Sequence, residues 1–569
     1  MKLILPSMLL SSCLCFSQTW KNLDTNMVST PIGTCSIKHA GPNNTQGYQV
    51  PKASGKCAIF ASSLWIGGFD EGNVLHVSGE TYRQQGSDYS PGPLDTISAS
   101  TTNSSTAGFN KVWKLSCNQI NQFVTNANNN NFNANLSPTF SDINTYIANG
   151  NNQNNFASKL APFYDANNNG IYEPSIGEYP IIKGHQQIYS VYNDKYLPHT
   201  ETGGNPLGVE VHEKSYAFHL PNIVDSMNVI NYTTFYNYEV INRSNTNYNN
   251  VYMTIWSDAD LGYYLNDYIG TDTLNEFAYV YNGTASDPNY SGLSGYGNKH
   301  PMLAYVLLPQ KSNQSDGVDN NNNGQTDETN ERFKLNLTTF YNNNIGPFPP
   351  ATTNPATALH YYNFMKGFWK DGSPFMNAGS AYNQTLNATP TKYVYTGNPQ
   401  NNSGWTESTA SVTPGDRRIL CTIGPFNFPS KKKVEFEYAY VFSRDTTLNN
   451  VNANFQLLQK DVKNIKYFAS QQNNSCLPSL VAGIHTNNPN NISFNTYPNP
   501  TSTILHLELN EEAEGYHYSI FNLIGEEVKK GDLVLSSTND IDVESLPPAI
   551  YLLKLSNKYK STTIKLMKE

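Results

Sequence analysis

Short runs in which apolar and polar residues alternate predict β-strands along most of the chain. The clearest run covers residues 433–443, where alternation brings every second side chain to one face of a strand. That face would carry five apolar residues: Val434, Phe436, Tyr438, Tyr440 and Phe442. Similar runs bounded by Asn, Gly and Asp predict further strands at residues 232–242, 249–256, 277–282 and 302–308.

One segment near residue 460 has a helical period instead. Its apolar residues recur three or four positions apart, and either of two asparagines, Asn450 or Asn452, could cap the first turn. We expect this helix to pack on the sheet. The apolar positions are Phe455, Leu458, Val462 and Ile465.

Two polar tracts separate the predicted strands. Residues 124–155 are rich in Asn, and residues 341–357 are rich in Asn, Pro and Thr. Such composition is typical of surface loops, so we expect both tracts to be exposed and mobile.

The pattern changes towards the C-terminal end of the chain. Residues 471–491 form an Asn- and Gln-rich linker, and residues 492–569 contain short strands with regular turns. That spacing suits a small immunoglobulin-like β-sandwich. The chain is therefore predicted to be mainly β. Residues 18–470 would form a large, multi-part β-sandwich-like body with long loops and a few helices, which could divide into two subdomains.

Composition narrows the functional classes. Of the 569 residues, 12% are aromatic, which argues against intrinsic disorder because disordered chains lack apolar surface. The net charge is −9, so nothing in the overall charge favours a nucleic-acid partner. An acidic balance suits cation binding or simple solubility.

The first residues predict export. Lys2 precedes an apolar stretch and then small residues up to Ser17, which is typical of a secretory signal peptide covering residues 1–17. Residues 10–13 (LSSC) also fit a lipoprotein signal, with Cys13 as the lipidated residue, and a buried N-terminal strand is the structural alternative. No later apolar run reaches the roughly 18 residues of a membrane helix, so no membrane span is expected.

Five cysteines follow the signal segment, and this odd number leaves at least one unpaired. Because they are near each other in sequence, Cys35 and Cys57 are the preferred disulfide pair in an exported protein. No CxxC motif is present, which argues against a structural zinc site.

Four motifs near the C-terminus share order, spacing and terminal position with one known domain. They are residues 497–501 (YPNPT), 521–525 (FNLIG), 546–554 (LPPAIYLLK) and 565–568 (KLMK). Residues 492–569 thus resemble the C-terminal sorting domain (type A) of Bacteroidetes type IX secretion cargo. The resemblance implies contact with the type IX secretion machinery, passage through the periplasm, and a secreted or outer cell-surface location. Ala549 stands where the family usually has Gly, which affects the local turn.

The body also resembles an uncharacterised family of secreted proteins of the same phylum, from which no activity follows. Five short motifs carry this likeness: residues 64–68 (LWIGG), 91–95 (PGPLD), 199–204 (HTETGG), 256–262 (WSDADLG) and 415–418 (GDRR).

The strongest chemical signal is an acidic loop that begins near residue 316. Calcium prefers six to eight oxygen ligands, and a loop with oxygen side chains at positions 1, 3, 5 and 9 and Gly at 6 can surround it. Asn330 stands where the usual bidentate Glu would be, and Glu328 or Glu331 could substitute. An Asn-Gly turn on a solvated loop is the structural alternative. The predicted calcium ligands are Asp319, Asn321, Asn323, Asp327 and Glu328.

A second loop repeats this pattern. Asp165, Asn167, Asn169 and Glu173 occupy positions 1, 3, 5 and 9, and Gly170 occupies position 6. In both loops Asn often replaces Asp, so we expect weak binding, with Kd on the order of 10⁻⁴–10⁻³ M, as in extracellular modules.

A third acidic stretch contains Asp258, Asp260, Asp267 and Asp272 between two predicted strands. It could bind a cation, supply a carboxylate pair for acid–base chemistry, or form a strand-end turn.

Other candidate groups are less specific. His199 and His212 lie near His185, Glu201 and Glu213 in sequence and could bind a metal or serve as hydrogen-bond partners. Several aromatic residues could stack on sugars or peptides, or simply pack on strand faces: Tyr263, Tyr264, Tyr361, Tyr362 and Trp369.

These observations favour an exported, calcium-stabilised, non-enzymatic protein with an adhesion or glycan- or protein-binding role. No HExxH or GxSxG motif is present. The alternative is a secreted hydrolase acting on polysaccharide or protein, which would show two carboxylates beside aromatic walls in a cleft. A structural component of a surface layer is a third hypothesis and would associate through exposed sheet edges.

Overall fold

The structure is a computed structural model that describes most of the chain. Backbone contacts divide the chain into two compact units, Met1–Cys476 and Leu477–Glu569. The predicted signal segment, the caps Asn450 and Asn452, and nearly all of the predicted linker lie outside the described residues. The described residues are 19–41, 47–81, 86–221, 225–344, 346–383, 387–446, 454–471, 494–509, 515–522, 526–533, 538–557 and 561–569.

The first unit is built mainly from antiparallel strands, as the alternating pattern predicts. Its strands are β1 (Trp20–Leu23), β2 (Thr30–Gly33), β3 (Tyr48–Gln49), β4 (Cys57–Ile59), β5 (Ala61–Phe69), β6 (Leu75–Ser78), β7 (Ser90–Pro91), β8 (Trp113–Ser116), β9 (Phe163–Tyr164), β10 (Tyr179–Pro180), β11 (Gln186–Asn193), β12 (Val209–Ala217), β13 (Thr233–Asn242), β14 (Tyr248–Asp258), β15 (Asp267–Asp272), β16 (Phe277–Asn282), β17 (Met302–Leu308), β18 (Leu337–Asn342), β19 (Arg417–Phe428) and β20 (Lys433–Ser443). All five strands predicted from alternation are therefore confirmed.

Two sheets dominate this unit. The larger sheet has the strand order β15-β16-β17-β20-β13-β12-β11-β7, with β8 also paired to β11. The smaller sheet has the order β18-β19-β14-β5-β6. One apolar core takes side chains from both sheets, including Tyr236 and Tyr238 of β13 and Trp256 of β14. The body is thus β-sandwich-like, as predicted.

Strand β20 shows why this arrangement follows from the sequence. The face predicted to be apolar, from Val434 to Phe442, lies in the core that takes side chains from both sheets. Ala439 and Val441 point the other way, into a second core that includes helix α5 (Asn454–Gln471). This helix is the predicted one, and Phe455, Leu458, Val462 and Ile465 are all buried. Burying each such side chain contributes roughly 1.5–3 kcal/mol.

The Asn-rich tract at residues 124–155 is more ordered than expected. Helix α2 (Cys117–Asn128) enters it, and α3 (Ser141–Asn144) follows within it. Phe140, Ile143 and Tyr146 are buried in a third apolar core with Trp113. The predicted exposure therefore holds for residues 128–133 but not for Phe140, Ile143 and Tyr146, which anchor the segment. The remaining helices are α1 (Asn103–Thr106) and α4 (Ala358–Met365).

The second unit is a small sandwich of two antiparallel sheets around its own core. One sheet has the order β21-β22-β25 and the other the order β24-β23-β26-β27. Leu505, Ile520 and Leu553 are among the buried residues between them. The strands are β21 (Phe494–Tyr497), β22 (Ile504–Leu509), β23 (His517–Phe521), β24 (Glu527–Asp532), β25 (Thr538–Asp542), β26 (Ala549–Ser556) and β27 (Ser561–Lys568).

The cysteines differ from the prediction. Cys35 and Cys57 are free and buried, so the preferred disulfide between them is wrong. Nearness in sequence does not bring their side chains together, because Cys35 lies near Glu80 and Cys57 near Asp260. Cys117 is disulfide-bonded and Cys421 is free. Within the described part of the chain, no helix combines the length and apolarity needed to cross a membrane.

Candidate functional site

Loop 165–173 folds around its first acidic residue. The carboxylate of Asp165 accepts hydrogen bonds from the backbone N–H groups of Asn169 (3.1 Å) and Gly170 (2.7 Å). The side-chain amides of Asn167 and Asn169 both donate to one oxygen of Glu173, at 3.0 and 2.7 Å. The four predicted ligands of this loop therefore converge on one small region.

Loop 319–328 forms four corresponding hydrogen bonds. Asp319 accepts hydrogen bonds from the N–H groups of Asn323 (3.1 Å) and Gly324 (2.7 Å). The amides of Asn321 and Asn323 donate to one oxygen of Glu328, at 2.7 and 2.5 Å. Two segments more than 150 residues apart in sequence thus reach the same local structure.

The two loops differ in which position supplies the converging glutamate. In the first it is Glu173, the ninth residue, whereas in the second it is Glu328, the tenth. The ninth residue of the second loop, Asp327, has a positive φ of 60° and accepts a hydrogen bond from the N–H of Gly317 (2.9 Å). Its carboxylate therefore contacts the start of the segment and not the asparagine amides.

A buried glutamate accepts backbone hydrogen bonds from both ends of each loop. Sequence spacing alone does not reveal that the two glutamates share this role. Glu178 accepts hydrogen bonds from the N–H groups of Ala166 (2.9 Å) and Glu173 (2.7 Å). Glu331 accepts the equivalent bonds from Asn320 (2.6 Å) and Glu328 (3.2 Å). Both carboxylates are at least 99% buried. They hold the two ends of each loop together.

The third acidic stretch separates into two parts. Asp258 ends β14, Asp260 follows it, and Asp267 begins β15, while Asp272 lies at the other end of β15. Five residue steps along a strand span about 17 Å, so Asp272 is remote from the others. It accepts hydrogen bonds from Asn275 and Gln459 instead. Asp416, immediately before β19, lies beside Asp258 and Asp260 instead.

Burial changes the chemistry of this region. The pKa of Asp267 is raised well above its ordinary value, first by burial and then by the charges of Asp260, Asp287 and Asp416. Asp416 was not predicted as a site residue, although it belongs to the GDRR motif. Spacing could not find it, because it is more than 150 residues from Asp258.

The histidines do not form a shared site. His199 bonds to the carbonyl oxygens of Val77 (2.8 Å) and Asp194 (2.6 Å). His212 bonds to Glu210 (2.7 Å) and to the carbonyl oxygen of Leu160 (2.7 Å). Among the described residues, the one group of His, Cys, Asp and Glu side chains close enough to share an ion is Asp258, Asp260 and Asp416. The structure therefore favours the hydrogen-bonding role for these histidines.

Two other buried glutamates stand out in the interior. Burial raises the pKa of Glu80 and of Glu201 to about 8. One oxygen of Glu201 accepts hydrogen bonds from Thr81 and from the hydroxyl of Tyr361 (2.9 Å). The second oxygen of each glutamate is buried and has no hydrogen-bond partner among the described residues.

Most of the predicted stacking aromatics are core residues. Tyr361, Tyr362 and Trp369 are buried, and Trp369 stacks on Phe375 with ring centroids 3.9 Å apart. For these three residues the packing alternative holds. Tyr361 and Tyr362 lie on α4 and Trp369 follows it, and their rings contact Trp65, Phe69 and Phe340 of the smaller sheet. Tyr263 and Tyr264 are partly exposed and form a cluster with Tyr290, whose rings lie 5.1–5.5 Å apart.

A cavity of about 420 Å³ opens on the larger sheet. We call it the Glu435 pocket, and its volume lies within the range of small-ligand sites. Asn237 donates from one side-chain nitrogen to Glu435 (2.8 Å) and to Glu437 (3.1 Å), and Lys183 lies 2.8 Å from Glu437. Aromatic side chains form its walls: Tyr216, Phe218, Phe235 and Phe468.

The charges in this pocket favour ionised carboxylates. Burial alone would raise the pKa of Glu435, but Lys183 and Lys214 outweigh it and lower that pKa. The pKa of Lys183 is raised, since Glu437 and Glu435 overcome the effect of burial. The pocket thus offers charged donors and acceptors beside aromatic surface.

Comparisons with known proteins add one strong match and two weak ones. A search of curated proteins finds no match to this sequence. Among solved structures, a polysaccharide lyase aligns with TM-score 0.16 and 8% identity over 63% of this chain and 34% of the lyase. A biofilm-associated protein domain (BSP domain) aligns with TM-score 0.12 and 7% identity over 67% of this chain and 60% of the domain. The chain thus spans about a third of the first protein and three-fifths of the second.

The strong match concerns the second unit. Residues 495–569 match the family profile of the secretion system C-terminal sorting domain. This match covers the small sandwich and all four motifs on which the sequence resemblance depends. The protein is therefore a cargo of the type IX secretion system, exported to the cell surface or secreted.

Proposed function

We propose that this protein acts at the cell surface or outside the cell as a calcium-stabilised binding protein. The observation that carries the proposal is the set of four corresponding hydrogen bonds that loops 165–173 and 319–328 share. Each loop brings one aspartate, two asparagines and one glutamate together, and calcium prefers such oxygen donors.

Calcium would replace the asparagine amide donors that contact each glutamate. The side-chain oxygens of Asn167, Asn169 and Asn323 each accept one backbone N–H bond, and an amide oxygen has a second lone pair that could face the ion. The pattern would then supply two carboxylates and two amide oxygens in each loop. Two negative charges per loop suit the weak affinity of extracellular calcium modules.

Thermal unfolding of the full-length mature protein with calcium and with chelator tests this function. A folded protein that binds an ion gains stability as the ion concentration rises, so wild type should unfold at a higher temperature in millimolar calcium. Asp165→Asn and Asp319→Asn should each remove part of the gain, and the double variant should remove the whole contribution of the two loops.

The matched control is Asp371→Asn. Asp371 also caps a surface turn, accepting hydrogen bonds from the N–H (2.9 Å) and the hydroxyl (2.6 Å) of Ser373, but it belongs to neither loop. Its calcium response should equal that of wild type. An unchanged response in the double variant would refute the assignment of both loops.

The Glu435 pocket supports the glycan-binding part of the proposal. Hydroxyl groups both donate and accept hydrogen bonds, so they suit a pocket lined by Lys183, Glu435 and Glu437 together. The aromatic walls suit the apolar face of a sugar ring. Isothermal titration with cellotetraose, xylotetraose and chitotetraose should show binding that Glu435→Gln weakens at least fivefold.

Glu239→Gln is the control for this titration, because Glu239 also pairs with a lysine on the same sheet (Lys433, 2.7 Å) but lies outside the pocket. Affinity unchanged by Glu435→Gln, or no binding of any of the three sugars, would contradict glycan binding here.

A secreted hydrolase is the second candidate, and one observation favours it. Glu435 and Glu437 lie beside aromatic walls, and their accepting oxygens are less than about 6 Å apart because both bond to one nitrogen. A general acid requires a raised pKa, however, whereas the pKa of Glu435 is lowered. Release of reducing ends from the same sugars, lost in Glu437→Gln, would favour the hydrolase over the binding protein.

A further inference from the structure

Two of the body's short motifs meet at one end of the smaller sheet. Asp258, in the WSDADLG motif, ends β14 and pairs in register with Arg418 of the GDRR motif on β19. Asp260 lies in the turn after β14, and Asp416 directly precedes β19. Oxygens of the three carboxylates lie within 4.8 Å of one another.

This group, which we call the acidic cluster, is buried. Asp258 is 1% exposed, and Asp260 and Asp416 are each 5% exposed. Arg418 contacts two of the three carboxylates, Asp258 (3.0 Å) and Asp416. The neighbouring Arg417 is engaged with Glu407 (2.9 Å). Buried carboxylates that outnumber their cations are costly, because charge is poorly solvated in the protein interior.

A fourth carboxylate gives an independent reason to expect a ligand. Asp267 is 0% exposed, and one of its oxygens accepts a hydrogen bond from the N–H of Leu261, the residue after Asp260 (3.1 Å). Its backbone carbonyl accepts from Gly415, the residue before Asp416 (3.1 Å). Asp267 is thus held between two segments of the cluster. Its other oxygen is buried and has no hydrogen-bond partner among the described residues.

We propose that Asp258, Asp260 and Asp416, with Asp267 beside them, bind a hard divalent cation at this end of the sheet. An all-oxygen carboxylate set suits calcium, magnesium or manganese and not softer metals. The ion would balance the excess negative charge of the cluster. The site is separate from the two surface loops and does not depend on their binding calcium.

The position of the site gives the ion a structural consequence. The turn that carries Asp260 continues into Tyr263 and Tyr264, which form the aromatic cluster with Tyr290. Asp287 accepts a hydrogen bond from the N–H of Tyr263 (2.8 Å), and Tyr290 is 44% exposed. An ion bound to Asp260 would therefore fix the turn that presents this partly exposed aromatic surface.

The test counts bound ions in a variant in which the first aspartate of each surface loop is replaced. The full-length mature Asp165→Asn/Asp319→Asn variant is titrated with Ca²⁺, Mg²⁺ and Mn²⁺ by calorimetry. It should retain one divalent site. Adding Asp260→Asn or Asp416→Asn should weaken that site at least tenfold, while Asp272→Asn, at the far end of β15, should leave it unchanged.

Terbium luminescence gives a second readout. Trp256 lies two residues before Asp258 on the same face of β14, so Tb³⁺ in the cluster should emit on excitation of the protein's aromatic residues. In the Asp165→Asn/Asp319→Asn background, Asp260→Asn should abolish this emission, while the circular dichroism spectrum stays that of the folded protein. Asp260→Asn is decisive if Asp416→Asn fails to fold.

Two results would overturn the proposal. The first is that the Asp165→Asn/Asp319→Asn variant folds but binds none of the three ions. The second is a remaining site that Asp260→Asn leaves intact. Neither result depends on whether the surface loops bind calcium, since that question is answered by the melting temperatures of the loop variants.

Discussion

The surface loops and the interior place acidic side chains in opposite environments. In loops 165–173 and 319–328, each aspartate accepts two backbone N–H donors, and Glu178 and Glu331 each accept two more. In the interior, Glu80 and Glu201 each keep a buried oxygen without a hydrogen-bond partner among the described residues.

This difference shows that burial outweighs hydrogen bonding in the interior. Glu201 accepts hydrogen bonds from the N–H and the hydroxyl of Thr81 and from the hydroxyl of Tyr361, yet burial raises its pKa to about 8. The loop carboxylates Asp165, Glu173, Asp319 and Glu328 are partly exposed, so an ion from the medium can reach them. The interior glutamates hold protons instead, and stability should depend on pH for that reason.

The largest expected effect is the pH dependence from Glu80 and Glu201. Their pKa values rise from 4.5 to about 8 on folding, so the native state binds more protons between these values. The contribution of these two groups to the free energy of unfolding is complete below pH 4.5. It falls by a few kcal/mol as the pH rises to 8. Urea unfolding from pH 5 to pH 8 should show this decline.

The Glu80→Gln/Glu201→Gln variant should flatten this decline, because glutamine stays neutral. Asp165→Asn in chelator is the control and should keep the wild-type slope. If the free energy of unfolding of wild type rises between pH 5 and pH 8, then the claim that the interior glutamates hold protons is wrong.

The next effect concerns the buried glutamates beneath the loops. Glu178→Ala and Glu331→Ala should each cost about 2–3 kcal/mol, because each leaves two backbone N–H groups without an acceptor. Urea unfolding in chelator measures this loss without any contribution from calcium. Glu178→Gln keeps one acceptor oxygen and should cost less than Glu178→Ala. A cost below about 0.5 kcal/mol for both alanine variants would show that these carboxylates do not hold the loops.

A smaller effect concerns the converging glutamates. At a calcium concentration ten times Kd, each loop should stabilise the protein by about 1.4 kcal/mol. Glu173→Gln and Glu328→Gln should each remove most of that gain at their own loop, since each loses a charged ligand. Differential scanning calorimetry with and without calcium measures the gain, and equal gains in wild type and in both variants would contradict the assignment.

The smallest effect distinguishes the ninth position from the tenth in loop 319–328. Asp327→Asn should change the calcium response by no more than about 0.5 kcal/mol, because Asp327 bonds to Gly317 and not to the asparagine amides. Calcium titrations of this variant and of Glu328→Gln, run side by side, decide which residue belongs to the site. A larger loss for Asp327→Asn would reverse the assignment.

Much of the fold follows from local pattern. The alternation at residues 433–443 and the helical spacing from Phe455 to Ile465 reflect periods set by backbone geometry, so both are readable in sequence. Trp369 is different, because whether an aromatic residue faces solvent depends on what packs over it. The spacing of Asp165, Asn167 and Asn169 also survives in the structure, since a loop of this size closes on itself.

The long-range parts of the sites could not be derived in this way. Asp416 reaches Asp258 only because β14 and β19 pair in register. Glu437 meets Lys183 across more than 250 residues of chain. The same limit explains the cysteines, since the fold around each residue determines where its thiol lies.

The hydrogen bonds of Gly170 and Gly324 also bear on how long the protein survives outside the cell. Each glycine follows an asparagine. In a flexible Asn-Gly step the asparagine deamidates when the glycine nitrogen attacks the asparagine side chain and ammonia is released. Here each glycine N–H is held by an aspartate at 2.7 Å, and each preceding amide is held by a glutamate. The loop geometry therefore protects two of the chain's four Asn-Gly steps from deamidation, so the exported protein keeps these asparagines for longer.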